Sequence, residues 1–573
     1  NKTVQYESTP LVGDVQRFRR ALVIANEGWV ISTRLTQMWV RHKLLENGYT
    51  QVYESYMTWD YDPGPGSISQ PINQGLSWVS YRGFGSHDSW SGPYFDSGLV
   101  ASLTNEDNLP VITSMVCGGG AFDELDSDPC FGEVWVRMGS PNNLKGAVAF
   151  IGPSEIDTHT RWNNLLDGAW YEGLFDEGLR TTGQLLLFSK MRLYRNYPNL
   201  WNPGGSNQES VWFYFHTYNI LGDPALEVRA EVPRTLQVTH PAALPAGATH
   251  MPVNVLDEFG DPVAGAHVVL TSGGDSLLAQ AVTREDGDAD ILFPQPVTAA
   301  EVEVTVSRPD VAPYMADLGA TSDAGVLLDD FVMLEDDSDP ATDGDGFLNP
   351  GELALPRARF MAQGADFDDL EVTVSLPDGG GEVVTSREVL GTLAEGDTAG
   401  LSVPRIRLAD TLEDGEPVTL LFTLRSGDEE ETHGVNFAGV RAPRLRVENL
   451  SFDGDWLPGT TRELTITLAN DNTVLAAGTV SGLLTTPDPM VTLTDAQASW
   501  TGLGAGDSRQ SDDPFVLALD GDAYPGRVVP LTLTLTTADG AVQTRELSLA
   551  ADGVSVNVPT GPAGPGYYLY EDI

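Results

Sequence analysis

The sequence predicts a multidomain protein in which an N-terminal α/β domain precedes three all-β sandwiches. In residues 1–232, apolar runs of strand length alternate with segments whose apolar residues recur at helical spacing. After residue 233 the helical spacing disappears, and short alternating segments lie between Gly, Pro and Asp turns. The first pattern is typical of βαβ units around a parallel sheet, and the second is typical of antiparallel sandwiches.

Strands and helices of the first domain can be read in order. The segment ALVIANEG (21–28) predicts a strand, and ISTRLTQMWVRHKLLENGY (31–49) predicts a helix. Further strands are predicted in QVYESYMTWD, LSWVSYRGF, LPVITSMVC and KGAVAFIGP, with helices at 95–104, 130–138 and 162–195. Because the carboxyl ends of parallel strands face the ligand crevice, we expect Phe84 and Cys117 to lie there.

The remainder of the chain divides into repeated sandwich-like segments. Segments such as GAHVVLTSGG and AEVEVTVSRP alternate apolar and polar residues between turns. We place three sandwiches at 234–320, 325–442 and 443–558, and we interpret 559–573 as a linker into a further module.

The amino-acid composition limits the kinds of partner and cofactor that the chain is expected to bind. The chain carries 82 acidic and 32 basic residues, for a formal charge of −50, which disfavours nucleic acid as a partner. No stretch approaches the ~20 apolar residues of a membrane span. Two cysteines cannot build a disulfide framework, and no motif indicates an organic cofactor. The acidic composition suits calcium loading or a salty environment.

Cys117 is the candidate nucleophile. It ends the apolar run VITSMV and precedes three glycines, which allow a substrate to approach closely. A thiolate nucleophile needs an imidazole to take its proton and amide donors for the oxyanion. Two alternatives are a buried inert thiol and a disulfide with Cys130.

Five segments of the N-terminal domain together resemble a known protein family. The segments VSYRGFGSHDSW, LTNEDNLPVITSMVCGGGAF, DPCFGEVWVR, GAVAFIGPSE and YNILGDPALEVR resemble the catalytic domain of gingipain-type cysteine peptidases over residues 15–230. That family has a caspase-like α/β fold and carries an immunoglobulin-like domain after it. The resemblance therefore implies immunoglobulin-like folds for the sandwiches here.

The resemblance also implies site residues. Cys117 takes the nucleophile position, Gly118 supplies an oxyanion-hole amide, and Phe84 occupies the position of the base histidine in Tyr-x-Gly-His-Gly. A phenyl ring can neither accept nor donate the proton. His87 is the alternative base if its loop folds back, although it also fits a solvated loop histidine. His159 is a second alternative base.

The resemblance extends to the substrate pocket and to partners. His159 and Trp162 are expected to line the pocket. Family catalytic units usually contain two α/β halves, and the resemblance here accounts for one. The expected partner is a protein or peptide, which includes a separate chain supplying the other half or an extracellular assembly.

The acidic segment EDDSDPATDGDGFLNPGE (335–352) is a candidate calcium loop. With Gly346 at the turn of an EF-hand-like loop, carboxylates fall at several ligand positions, while Ala341 replaces the first aspartate. The alternative is a solvated acidic loop. The predicted ligands are Asp337, Asp339, Asp343, Asp345, Asn349 and Glu352.

Three functions remain open. The first is an extracellular or cell-surface bacterial protein whose gingipain-like domain has lost its base and serves as a binding or scaffold module. The second is an active cysteine endopeptidase that uses Cys117 with His87 or His159. The third is a structural component of an extracellular filament or surface layer. Phe84 shifts the weight toward the first and third.

Overall fold

The computed structural model describes residues 2–553 apart from 29, 124–127, 207–209, 246, 274–275, 298–300, 322–323, 341 and 343. The predicted linker at 559–573 therefore lies outside the described residues, as does Asp343 of the predicted calcium loop. None of the described helices is both long and apolar enough to cross a membrane.

A six-stranded sheet forms the centre of the N-terminal domain. Its strands are β1 (Arg20–Asn26), β2 (Gln51–Met57), β3 (Trp78–Arg82), β6 (Val111–Ser114), β9 (Ala149–Pro153) and β10 (Tyr218–Leu221). Two small hairpins lie outside the sheet, β4 (Ser89–Ser91) with β5 (Tyr94–Asp96) and β7 (Gly139–Ser140) with β8 (Asn143–Leu144). The strand order in the sheet is β10-β9-β6-β3-β1-β2, in which β10 is antiparallel to β9 and the other neighbours are parallel. The parallel α/β prediction is confirmed.

Helices cover both faces of this sheet. Val23 of β1 points into one apolar cluster, whereas its neighbours Leu22 and Ile24 point into another, as the two-residue period of a strand requires. The helices are α1 (Lys2–Ser8), α2 (Ser32–Glu46), α3 (Gly66–Gln74), α4 (Ser97–Ala101), α5 (Phe131–Arg137), α6 (Thr160–Phe175), α7 (Thr182–Asn196) and α8 (Val211–Thr217), with 3-10 turns at Val15–Arg19 and Pro198–Leu200.

The single helix predicted at 162–195 is wrong. The segment forms two helices, α6 and α7, separated by a turn in which Gly178 has φ +67°. That left-handed conformation breaks a helix and favours glycine. The two helices consequently pack against each other on one face of the sheet.

Each of the three following segments forms a two-sheet β-sandwich with its own apolar core. The first contains β11 (Leu236–Thr239), β13 (His250–Asp257) and β16 (Asp288–Leu292) opposite β12 (Ala243–Pro245), β18 (Tyr314–Thr321), β17 (Glu301–Ser307), β14 (His267–Ser272) and β15 (Ser276–Val282). The second contains β19 (Gly325–Glu335), β20 (Leu353–Gln363), β24 (Thr398–Gly400), β25 (Arg405–Leu408) and β22 (Gly381–Thr385) opposite β23 (Arg387–Leu393), β21 (Phe367–Ser375), β26 (Val418–Ser426) and β27 (Glu429–Phe437). The third contains β28 (Leu445–Phe452), β29 (Thr461–Asn470), β33 (Ser508–Gln510), β34 (Phe515–Leu519) and β31 (Val491–Asp495) opposite β32 (Gln497–Leu503), β30 (Gly478–Thr485), β35 (Val528–Thr536) and β36 (Val542–Ala550).

Candidate active site

Phe84 and Cys117 lie together at the carboxyl edge of the sheet. Strands β3 and β6 are parallel neighbours in which Tyr81 pairs with Ser114, and each candidate residue follows its partner by three positions. The two loops touch, because a Cβ placed on Gly85 would lie 3.2 Å from the carbonyl oxygen of Cys117. The structure therefore brings together the two positions that sequence reasoning paired.

The thiol of Cys117 is held by a threonine. Its Sγ lies 3.5 Å from Thr158 Oγ1 and 3.7 Å from the Thr158 carbonyl oxygen. Asn163 Nδ2 donates to the same Thr158 Oγ1 at 2.7 Å, and Tyr218 donates to Asn163 Oδ1 at 2.7 Å. This chain of hydrogen bonds fixes Thr158 beside the half-buried thiol.

Gly118 is in close contact with Glu155 and with the ring of His87. Its amide donates to the Glu155 carbonyl oxygen at 2.8 Å, so the amide predicted to stabilise an oxyanion is already hydrogen-bonded in this conformation. Its φ of +67° favours glycine. A Cβ there would lie 2.8 Å from His87 Cδ2 and 3.4 Å from His87 Nε2. The loop therefore does fold back, and the His87 ring packs against the residue that follows the nucleophile position.

The backbone of Phe84 is held firmly at the base position. Its carbonyl oxygen accepts hydrogen bonds from the Tyr81 hydroxyl at 2.7 Å and from the Ser91 amide at 2.8 Å. The phenyl ring approaches the loop after β1, where a Cβ on Gly28 would lie 3.7 Å from Phe84 Cε2. The backbone of this loop is thus held in place, and an apolar ring occupies the position at which a general base is expected.

The pocket prediction for Trp162 is wrong. Its side chain is 0% exposed and stacks on Tyr214 with ring centroids 5.5 Å apart, inside the core between the sheet and its helices. His159 caps α6: its Nδ1 accepts from the Arg161 amide at 3.2 Å, and its own amide donates to the Tyr214 hydroxyl at 2.7 Å. This contact gives His159 a structural role, and its use as a base or pocket wall stays a prediction.

The disulfide alternative is also wrong. Cys117 and Cys130 are both free, and Cys130 is fully buried. Cys130 precedes α5, where its amide donates to Glu133 Oε2 at 3.0 Å. Burial raises the pKa of Cys130 to about 11, so this thiol is protonated and unreactive at neutral pH.

Sequence reasoning missed a buried arginine beneath the site. Arg82, the last residue of β3, is 0% exposed and donates to the Met115 carbonyl, the Thr160 carbonyl and Asn164 Oδ1. It thereby ties the end of β3 to the strand bearing Cys117 and to the start of α6. Burial lowers the pKa of Arg82, and the nearby Asp167 carboxylate opposes this shift. A charged residue ending the apolar run WVSYR was the available signal.

Most of the predicted calcium ligands that the structure describes have a protein partner or face solvent, and calcium at these residues stays a prediction. Across the described residues no group of three or more His, Cys, Asp or Glu side chains is arranged to hold a metal ion. Asp337 is exposed, and Asp339 forms an ion pair with Arg407 at 2.6 Å. Asp345 Oδ1 accepts from the Phe347 amide at 2.7 Å, and Glu352 Oε2 accepts from the Asn349 amide at 2.9 Å.

The N-terminal domain is thus an α/β domain with a mostly parallel six-stranded sheet, in which Phe84 and Cys117 follow adjacent strand ends. Residues 1–229 match the model described as peptidase family C25. Over these residues the chain is thus similar to the gingipain-type cysteine peptidases.

Individual relatives cover only part of the chain. Gingipain R2 of Porphyromonas gingivalis is 28% identical over 318 residues, which are 54% of this chain and 40% of that protein. Lys-gingipain of the same organism is 23% identical over 347 residues, or 56% of this chain and 18% of that protein. The crystal structure of the Arg-specific cysteine proteinase gingipain R is 24% identical, covers 56% of this chain and 71% of that chain, and has a TM-score of 0.49. The chain thus spans less than half the length of the two curated relatives, gingipain R2 and Lys-gingipain.

Proposed function

We propose that the N-terminal domain is a non-catalytic peptidase-type module that binds a polypeptide and serves as a scaffold in an extracellular or cell-surface assembly. Phe84 carries this proposal, because it stands level with Cys117 on the neighbouring strand end, where the family has its base histidine. A phenyl ring cannot take the thiol proton or return it to a leaving amine.

Two further contacts support the loss of catalysis. The hydrogen bonds of the thiol within the described residues go to Thr158 rather than to an imidazole. The Gly118 amide is committed to the Glu155 carbonyl, so an oxyanion would have to break that bond to use it. We therefore expect these strand ends to hold a peptide without the proton transfer and charge stabilisation of a peptidase.

The rest of the chain suits a scaffold. Arg229 anchors the N-terminal domain to the first sandwich, since its guanidinium donates to the Pro309 carbonyl at 2.7 Å and to the Val311 carbonyl at 2.8 Å. The formal charge of −50 favours solubility in salt. We propose that the sandwiches hold the module away from its attachment, and that its partner is a peptide segment or a separate chain completing the cleft.

An active cysteine endopeptidase is the second candidate, and the position of His87 favours it. The ring packs on Gly118, the residue after Cys117, which places an imidazole beside the nucleophile position. In this case His87 would take over the role lost at Phe84, with Cys117 as the nucleophile.

Hydrolysis of a mixed peptide library by the full chain and by Cys117→Ala separates the two candidates. The scaffold proposal expects equal background cleavage by both proteins and peptide binding that survives Cys117→Ala. Cleavage by the native chain that Cys117→Ala abolishes would establish the peptidase instead. His87→Ala would then identify the base, with His42→Ala as the matched control, because His42 is an exposed helix residue paired with Glu46.

The Phe84→His variant tests whether the rest of the active site around Cys117 is intact. We expect this substitution to create slow Cys117-dependent cleavage, because an imidazole at position 84 would lie level with the thiol while the Gly118 amide stays bonded to the Glu155 carbonyl. Cleavage that persists in the Phe84→His, Cys117→Ala double variant would contradict this reasoning.

A further inference from the structure

Three oxygen atoms of the loop between β19 and β20 are buried and lack any hydrogen-bond partner. They are Asp336 Oδ2, Thr342 Oγ1 and Asn349 Oδ1. Asp336 is 4% exposed and Asn349 is 7% exposed, so water does not reach them freely. Buried oxygens are nearly always satisfied. Asp336 Oδ2 has only an ion-pair contact with Arg405 at 3.2 Å, and the oxygens of Thr342 and Asn349 have no partner, so this loop has room for a ligand that oxygen atoms bind.

Backbone hydrogen bonds fold this loop back on itself. The Asp336 amide donates to the Leu353 carbonyl at 2.9 Å, which joins the beginning of the loop to its end. Glu335 accepts from the Gly344 amide at 2.9 Å and from the Gly346 amide at 3.0 Å, which draws the middle of the loop inward.

The orientation of Asn349 places its free oxygen on the loop side. Its Nδ2 donates outward to the Arg441 carbonyl at 3.3 Å, in the segment that leads to the third sandwich. Because Oδ1 and Nδ2 diverge from the same carbon, Oδ1 points away from the Arg441 carbonyl and is left for another ligand.

The chemistry of these atoms suits calcium. Carboxylate, hydroxyl and amide oxygens are the hard ligands that Ca²⁺ takes, with water completing the shell. The Ser338 hydroxyl donates to Asp336 Oδ1 at 2.6 Å, which fixes one carboxylate oxygen and leaves Oδ2 as the oxygen available to an ion. The Arg405 guanidinium, 3.2 Å from Asp336 Oδ2, is 46% exposed and has room to turn into solvent when an ion takes the carboxylate.

We propose that this loop binds one calcium ion through Asp336, Thr342 and Asn349, and that the ion stiffens the junction between the second and third sandwiches. The junction is within direct reach of the site. Leu348 forms a bridge with Val440, and the Arg441 amide donates to the Leu348 carbonyl at 2.8 Å. A ligand held in place at Asn349 therefore holds the linker as well.

Calorimetric titration of the EDTA-treated full chain with CaCl₂ tests the site, with MgCl₂ as the comparison ion. A site with one carboxylate is expected to bind with a Kd of about 10⁻⁴ to 10⁻³ M. Asp336→Asn and Asn349→Leu should each weaken binding at least about tenfold, whereas Asp337→Asn, on an exposed neighbour, should leave it unchanged. Absence of calcium binding up to about 10 mM, ten times the weaker expected Kd, would overturn the proposal. So would binding that Asp336→Asn leaves intact.

Limited trypsin digestion tests the effect on the junction. Arg441 and Arg444 lie in the linker with side chains 49% and 58% exposed, so trypsin can probe it directly. Saturating calcium should slow cleavage after these arginines several-fold in the native chain and not in Asp336→Asn. Calcium binding with unchanged cleavage would show that the ion does not act on the junction. The native chain with and without calcium gives this answer even if a variant fails to fold.

Discussion

Acidification is expected to weaken the contact between the first and second sandwiches through protonation of His433. This ring is buried on β27, with Nδ1 3.0 Å from Thr249 Oγ1 of the first sandwich and Nε2 against the Val326 carbonyl. Because the carbonyl requires a proton on Nε2, the neutral ring accepts from Thr249 through Nδ1. The Gly434 amide also donates to Thr249 Oγ1, at 3.3 Å, so one small hydrogen-bond network joins the two sandwiches.

The magnitude follows from the pKa of His433. Burial lowers it from 6.5 to about 4, so the folded chain binds fewer protons than the unfolded chain between these values. Stability is fully present above pH 6.5 and falls as the pH drops toward 4. From pH 7 to pH 5 the expected loss is about 2 kcal/mol, a substantial part of the 5–15 kcal/mol that stabilises a typical domain.

Charged groups near His433 change the size of this loss of stability. Glu431, 3.6 Å from His433 Nε2, has a pKa raised by burial, so its folded form gains protons at low pH and offsets part of the loss. His250 lies beside His433 and opposes its protonation, while His250 itself pairs with Asp290 at 2.7 Å. Arg284 also pairs with Asp290, at 2.9 Å.

Urea unfolding of the full chain at pH 7 and pH 5 measures the effect, following the transition of the second sandwich because a multidomain chain unfolds in several steps. His433→Gln keeps hydrogen-bonding groups but cannot titrate, so it should lose about 2 kcal/mol less than the native chain. His42→Gln, on an exposed histidine, should behave as the native chain does. Equal losses in the native chain and His433→Gln would refute the reasoning.

Two substitutions test the packing between the first and second sandwiches and in the N-terminal core. Gly434→Ala should cost about 1–3 kcal/mol in urea unfolding, because the added Cβ would lie 1.9 Å from Leu292 Cδ2 of the first sandwich. Gly400→Ala, whose Cβ would meet no atom closer than 3.8 Å, is the control, and equal costs would contradict this packing. Trp162→Ala should cost about 3–5 kcal/mol because the indole is fully buried. Trp201→Ala should cost less because that ring is 38% exposed, and a reversed order would show that Trp162 is not a core residue.

Much of the N-terminal domain could be predicted from local patterns. The two-residue period of β1 and the helical spacing of α2 are visible in the sequence, and both elements form where they were expected. The interruption between α6 and α7 was missed, because the apolar spacing continues on both sides of it and a single glycine is a weak signal.

The loop at residues 335–352 shows a different failure. The residue spacing predicts that its carboxylates bind calcium. In the structure Asp339 instead pairs with Arg407, and Asp345 accepts a hydrogen bond from the Phe347 amide. The unsatisfied oxygens belong instead to Asp336 and Thr342, which were not selected, and to Asn349, which was. Hydrogen-bond satisfaction depends on neighbours that a linear pattern does not contain.

By itself the sequence determined the order of the domains, the parallel sheet and the placement of Phe84 and Cys117 at its carboxyl edge. These properties follow from periodicity and chain direction, which are local. Only the tertiary structure decided that His87 rests on Gly118, that Trp162 is core rather than pocket, and that Arg82 ties three elements together. Each is a contact between segments far apart in the chain, and the packing of the whole domain sets its geometry.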